Sequence, residues 1–153
     1  MNQARKKQLL KIVDLEIKKA ERMAEKTGQT ARIFSRASRS QQGDRLYFED
    51  AARLTRERLT KLRSLKEEIT ESSDSESKEI RQDSFVSIKY QNGESVSFYF
   101  VSQAITLANI QLITSQSPLG KAIEGKKEKE KYSYQIKNGG TTTVFYGQIL
   151  KVE

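Results

Sequence analysis

Ser117-Pro118-Leu119-Gly120-Lys121-Ala122-Ile123-Glu124-Gly125-Lys126 contains the only proline of a 153-residue chain. A proline placed after serine stops a strand and opens a short helix, because its ring presets the backbone of the first helical residue, where the missing N–H costs nothing. The stretch from Ser117 to Glu124 therefore reads as a turn leading into a brief helix. On its N-terminal side, Ser84 to Tyr90 and Ser95 to Ser102 alternate around Gln91-Asn92-Gly93-Glu94, where Asn-Gly is a strong hairpin signal. Ile110 to Thr114 reads as a short strand, and on the C-terminal side Glu130 to Lys137 pairs with Thr141 to Val152 across Asn138-Gly139-Gly140. This half is expected to be a small antiparallel β domain. Its core is read as Val86, Ile88, Val96, Phe98, Phe100, Ile110, Leu112, Leu119, Ile123, Ile136, Val144, Ile149 and Val152.

The half that precedes it has a different period. Leu10, Val13, Ile17, Ala20 and Ala24 follow 3-4-3-4 spacing, and the phase continues through Thr27, Ala31, Phe34 and Ser38. That is the seam of a coiled coil on a helix from about Ala4 to Arg39. Gly28 falls inside it and costs about 1 kcal/mol relative to alanine, so a kink or break there is the alternative. A second seam runs Phe48, Ala52, Thr55, Leu59, Leu62, Lys66, Ile69, with a polar slip at Lys66. Between the seams, Gly43 can end one helix and Asp44 can cap the next. Two such seams joined by a short turn fold back as an antiparallel hairpin, whose arms of about 28 residues project roughly 40 Å.

Charge divides the chain at the same place. Residues 1–70 hold 18 Lys and Arg against 10 Asp and Glu, an excess of +8 that equals the net charge of the whole chain. Glu71-Ser72-Ser73-Asp74-Ser75-Glu76-Ser77-Lys78-Glu79 has no apolar residue to bury and reads as a linker or frayed helix end. The expected organisation is a helical hairpin over 1–72 with its tip at about 40–47, a linker over 73–83, and the β domain over 84–153. With 35% hydrophobic and 31% charged residues, the composition suits two small modules better than one large core. The absence of His and Cys excludes the chemistries that require them. No apolar run reaches the roughly 18 residues of a membrane span and no signal-like segment follows Met1, so the expected setting is the cytoplasm, as a monomer with no membrane partner.

Two groups of residues leave open readings. Arg32, Arg36, Arg39 and Arg45 surround the tip, with no acidic residue between Glu25 and Asp44; they are either a solvated face or a phosphate-facing one. Tyr90, Tyr99, Tyr132, Tyr134, Phe145 and Tyr146 form either a nucleic-acid stacking surface or ordinary cross-strand pairs.

The basic hairpin with Gly43-Asp44 at its turn, the Ser117-Pro118-Leu119-Gly120-Lys121-Ala122-Ile123 segment followed by Gly125-Lys126, and the ending Gly147-Gln148-Ile149-Leu150-Lys151-Val152-Glu153 together resemble the bacterial Gre transcript-cleavage factors. The resemblance implies a coiled-coil hairpin followed by an FK506-binding-protein-like β domain, an α+β chain. It further implies that the β domain docks on the rim of the RNA polymerase secondary channel while the hairpin enters it, with nascent RNA or DNA nearby. Gln116, Ser117, Pro118 and Leu119 would carry the docking role, although Gln116 stands where the family usually has Asp or Asn. The family's tip, Gly-Asp-x-x-Glu-Asn, helps hold an Mg²⁺ in the polymerase active site through two carboxylates. Here Asp44 keeps its place, which makes it both the candidate metal ligand and a candidate N-cap, but Tyr47 stands at the Glu position. Glu49 and Asp50 lie about 200° and 300° further round a helix, so Asp44, Tyr47, Glu49 and Asp50 are the tip candidates and weak or no cleavage is expected. No cofactor of its own is implied. Two other readings stand beside this one: a peptidyl-prolyl isomerase, by analogy of fold, and a basic coiled-coil nucleic-acid-binding protein that works without polymerase.

Overall fold

The computed structural model describes residues 1, 3–35, 42–72, 78–108 and 110–153, leaving aside the side chains of 34–35 and 42–45. Two long helices, α1 (Gln3–Ser35) and α2 (Gln42–Glu71), are followed by β1 (Ser84–Tyr90), β2 (Ser95–Val101), β3 (Leu112–Thr114), α3 (Pro118–Ile123), β4 (Lys131–Asn138) and β5 (Thr141–Val152). Helix α1 runs unbroken through Gly28, around which a Cβ would meet only open space. The alternative of a kink is not realised, because Ala24, Glu25, Lys26, Ala31 and Arg32, good helix formers on either side, sustain the helix against the cost of one glycine.

The helices lie antiparallel, with Asp14 bonded to Lys66 at 2.7 Å, Glu16 to Arg58 at 3.3 Å and Glu21 to Arg63 at 2.8 Å. Lys6 closes the base by donating to the Ser72 carbonyl at 2.7 Å. The seam of α1 falls as expected on Val13, Ile17, Ala20, Ala24, Thr27 and Ala31, all buried or half-buried; Phe34 and Ser38 lie outside the described side chains. On α2 the expected slip at Lys66 is corrected. Leu65, fully buried, fills the seam between Leu62 and Ile69, while Lys66 points outward to Asp14. The expected cap at Asp44 is also corrected, because α2 starts at Gln42 and the Asp44 backbone lies inside the first turn. An acid favours the first turn of a helix as it favours the cap, so the sequence signal is the same for both.

The five strands form one sheet in the order β3-β2-β1-β5-β4. All pairs are antiparallel except β2 and β3, which run parallel through Tyr99 opposite Leu112 to Val101 opposite Thr114. The β1–β2 turn places Gly93 at φ 91° and closes with Tyr90 N–H on the Glu94 carbonyl, whereas Gly139 (φ 53°) and Gly140 (φ 89°) make the two-residue turn between β4 and β5. Positive φ at both central residues is the demand of a type I′ hairpin. Helix α3 touches β3 and β4, the opposite edges of the sheet, so the sheet curls around it.

Two apolar clusters result. Val86, Ile88, Phe98, Phe100, Leu119, Ile123, Tyr132, Ile149 and Val152 fill the space between sheet and α3, joined by Ile80 from ahead of β1. Val144, expected in this core, is 38% exposed. The cause is a bulge in β5: Ser87 opposes Lys151 and Ile88 opposes Ile149, so Leu150 is an extra residue that reverses the phase of everything before it. Ile110 and Leu112 also leave the expected core and pack instead against the second cluster. That second cluster is the junction. Leu9, Val13, Leu62, Leu65 and Ile69 of the hairpin base pack with Tyr99, Val101 and Leu107 on the other face of the sheet. Burial of each large side chain contributes about 1.5–3 kcal/mol, so the hairpin stands on the sheet as on a plinth.

Candidate functional site

The link between β2 and β3 fixes the hairpin to its plinth by polar contacts as well. Glu68 accepts from the Ser102 N–H at 2.9 Å and also from the Ser102 hydroxyl, and Gln103 donates to Ser64 at 2.8 Å. Arg58 donates to the Thr106 carbonyl at 3.0 Å. On the α1 side, the Arg5 guanidinium lies 4.3 Å from the centre of the Phe85 ring and reaches Glu153 at 3.6 Å. Lys151 and Arg5 hold the Glu153 carboxyl below its usual range. Asp83 stands out here. It adopts φ 68°, and one carboxyl oxygen is buried without a hydrogen-bond partner among the described residues. Burial, with the nearby Glu68 charge, pushes its carboxyl up from 3.8 to about 6.

The Ser-Pro corner is built almost wholly from local bonds. Ser117 is the N-cap of α3, with φ −72° and ψ 152°; its hydroxyl accepts from Gly120 N–H at 2.9 Å and donates to the Thr114 carbonyl at 2.8 Å. Pro118 occupies the first turn, and Gly120 is required because a Cβ there would sit 1.9 Å from the Thr114 carbonyl oxygen. The corner is thereby pinned to the end of β3. Of the four residues read as its contact surface, Gln116 and Pro118 are exposed, Ser117 is half-buried with its hydroxyl bonded internally, and Leu119 is buried in the core. Beside them opens a cleft of about 430 Å³ that adds Lys121 and Ala122 of α3 and Ser133, Tyr134 and Gln135 of β4. These β4 residues had no local signal, since only the curl of the sheet brings them to α3.

At the distal end of the hairpin, Tyr47 is 70% exposed and its ring meets Phe48 edge-on at 5.4 Å between centres. Leu46 is exposed too. Glu49 and Asp50 are exposed, and the Asp50 carboxylate is engaged by Arg53 at 3.3 Å. Arg32 is exposed in the last turn of α1. Arg36 and Arg39, and the side chains of Asp44 and Arg45, lie outside the described residues. What the described tip presents is therefore apolar and aromatic surface next to an acid already paired with an arginine.

The aromatic residues separate by face. Tyr132, Tyr134 and Phe145 stack in sequence, with 6.3 Å and 5.0 Å between ring centres, and Tyr90 closes on Tyr132 at 6.3 Å. Tyr99 is buried against Phe85 on the hairpin side. Cross-strand pairing thus accounts for five of the six, and Tyr146 is left apart.

A long two-helix arm carried rigidly on a curled, mostly antiparallel sheet, with a capped Ser-Pro corner at the sheet's edge, defines a protein that presents one element by means of another. Residues 75–153 match the family described as transcription elongation factor, GreA/GreB, C-terminal. The chain belongs to that family. Among solved structures it is similar to Gfh1 of Thermus thermophilus, a GreA factor homologue, at 14% identity and TM-score 0.40, covering 99% of this chain and 94% of that one. It is similar also to Gfh1 of Thermus aquaticus (16%, TM-score 0.41, 92% and 90% covered). A GreA/GreB elongation factor from Nitrosomonas europaea is a further match (15%, TM-score 0.39, 60% and 77% covered). No curated protein matches the chain. Among the described residues no helix is long and apolar enough to cross a membrane.

Proposed function

We propose that the chain is a cytoplasmic, monomeric factor for bacterial RNA polymerase. In this reading the Ser117-Pro118 corner docks the β domain on the rim of the secondary channel, and the hairpin occupies the channel to regulate elongation or initiation. The observation that supports it best is the corner itself: a surface proline held by a doubly bonded serine cap, on the same domain that grips the hairpin base. Docking at that corner then fixes where the arm points. Helix α1, with 33 residues, spans about 50 Å at 1.5 Å per residue, long enough to reach well into a channel.

The tip argues for occlusion over cleavage. A hard divalent cation wants carboxylate oxygens placed together, and the described donor set does not fit that demand: Tyr47 occupies the position where the family places its second acid, and Asp50 is tied to Arg53. Glu49, though exposed, lies about 200° round the helix from Tyr47, so the polymerase's Mg²⁺ would find Asp44 without a second carboxylate in register. Exposed Leu46 and Tyr47 suit contact with protein walls. The test has two parts. Titration of core polymerase with the full chain, and with Gln116→Ala/Pro118→Ala, which spares the Ser117 cap, should show at least a tenfold loss of affinity at unchanged circular dichroism; equal affinity would refute docking at the corner. Backtracked polymerase incubated with the chain should show little stimulated RNA cleavage, and robust Mg²⁺-dependent cleavage would refute the occluding role.

A further inference from the structure

The hairpin-bearing face of the sheet is covered only at one end, and the open end carries a row of side chains that polymerase docking leaves unused. Lys131 of β4 opposes Gln148 of β5, and Gln148 opposes Lys89 of β1. Register partners share a face, so the two lysines flank Gln148 at about 10 Å across two strand spacings. Tyr146, the next β5 residue on that face, is 53% exposed, the most exposed ring of the β domain among the described residues. With Gln91 and Gly147 these side chains line an open cleft of about 590 Å³, a size that suits a small planar ligand.

The chemistry of the lining narrows the ligand. Both lysines are exposed, neither has an ion pair or side-chain hydrogen bond among the described residues, and no carboxylate lines the cleft. The cleft is thus short of anions at two places. A free ring two residues along β5 from a pair of cations calls for a planar partner to stack on it, with its phosphates reaching the lysines. Gln148 donates its amide N–H to the Lys129 carbonyl at 2.8 Å, which turns its own oxygen into a spare acceptor, and Gln91 adds an amide of its own. An acidic peptide would answer the lysines but leave the ring unused. We infer that this cleft is a contact site for single-stranded nucleic acid, in which Tyr146 stacks on one base while Lys89 and Lys131 hold the flanking phosphates.

The basic hairpin binds polyanions on its own account, so the test is a difference within the full chain, made without polymerase. Fluorescence anisotropy with labelled single-stranded oligouridylate and oligothymidylate is compared for the natural chain, Tyr146→Ala, Tyr146→Phe and Lys89→Ala/Lys131→Ala, each checked for an unchanged melting curve. Stacking on one base predicts a loss of about 5- to 150-fold in Tyr146→Ala and recovery to within about twofold in Tyr146→Phe. Loss of two phosphate contacts predicts a salt dependence, log K against log salt, shallower by about 1.4. Similar effects with RNA and DNA would locate the contact at base and phosphate; an effect confined to RNA would add the sugar hydroxyl to the glutamine contacts, and both support the site. Tyr146→Ala within twofold of the natural chain, or an unchanged salt slope in the double lysine variant, would overturn it. So would polyglutamate binding that the same substitutions abolish while oligonucleotide binding stays intact.

Discussion

Asp83 places a testable strain at the junction between arm and sheet. Its carboxyl is pushed up from 3.8 to about 6 by burial first and by the Glu68 charge second, with the chain's amino terminus and Lys6 acting in the opposite sense. A carboxyl with a higher folded than unfolded value binds its proton more tightly in the folded state. Stability from this group is therefore greatest below about pH 4, falls as pH rises through the window from 3.8 to about 6, and is level above it. At 1.36 kcal/mol per pH unit the upper bound is about 3 kcal/mol. The residue is only partly shielded, and solvent screening brings the expected cost of the ionised form to about 1 kcal/mol. Asp83→Asn removes the charge and keeps a residue that tolerates the positive φ of 68°. Urea unfolding of both proteins at pH 4 and pH 7.5 isolates the effect, because other carboxyls, such as Glu16 and Glu153 with their lowered values, titrate in both. The asparagine variant should be the more stable by about 1 kcal/mol at pH 7.5, with the gap closing at pH 4. A gap that is the same at both pH values would refute the reasoning.

Other substitutions probe the packing. Gly28→Ala meets open space in a helix interior and should stabilise by about 1 kcal/mol, raising Tm by about 2–4 °C in a thermal melt. Gly120→Ala drives a methyl into the Thr114 carbonyl and should cost about 2 kcal/mol or more by the same measurement. Tyr132→Phe removes a buried hydroxyl that has no partner among the described residues and whose titration burial has pushed up; denaturant unfolding should show it neutral or more stable by about 1 kcal/mol. Leu65→Ala should destabilise by about 2–5 kcal/mol and increase hydrogen exchange at the hairpin base.

What the sequence disclosed is local structure. Heptad spacing found both arms, because a helix announces its packing face every three to four residues. It missed Leu65, since α2 must satisfy two partners, α1 and the sheet, and the second is invisible to a heptad. Asn92-Gly93 and Gly139-Gly140 marked the hairpins correctly. The parallel pairing of β3 could not be read, because it depends on how Ser102, Gln103, Thr106 and Leu107 engage the hairpin base before the chain returns to the sheet. Ile80, a single apolar residue beyond a serine-rich run, gives no periodic signal, yet it is fully buried under the sheet.

The candidate sites follow the same division. The Ser117-Pro118 corner was legible because cap, proline and glycine lie within four residues of one another and their bonds are local. The identity of Tyr47 was legible for a similar reason, being fixed by distance along the chain from Gly43-Asp44. The Lys89, Lys131 and Tyr146 cleft was not. Its members come from three strands, and counting alternation back from Val152 puts every even position of β5 on the wrong face until the extra residue at Leu150 is known. That one bulge does two things at once: it lets Ile149 and Val152, three residues apart, both point into the core, and it turns Val144, Tyr146 and Gln148 outward. The exposed surface around Tyr146 is therefore a by-product of how the sheet closes its core. Deleting Leu150 leaves Ser87 opposite Lys151 and Ile88 opposite Ile149 with no extra residue between them, so Tyr146 should stay on the outer face and the Tyr146-dependent part of oligonucleotide binding should persist; its loss in a folded variant would refute this account of the register.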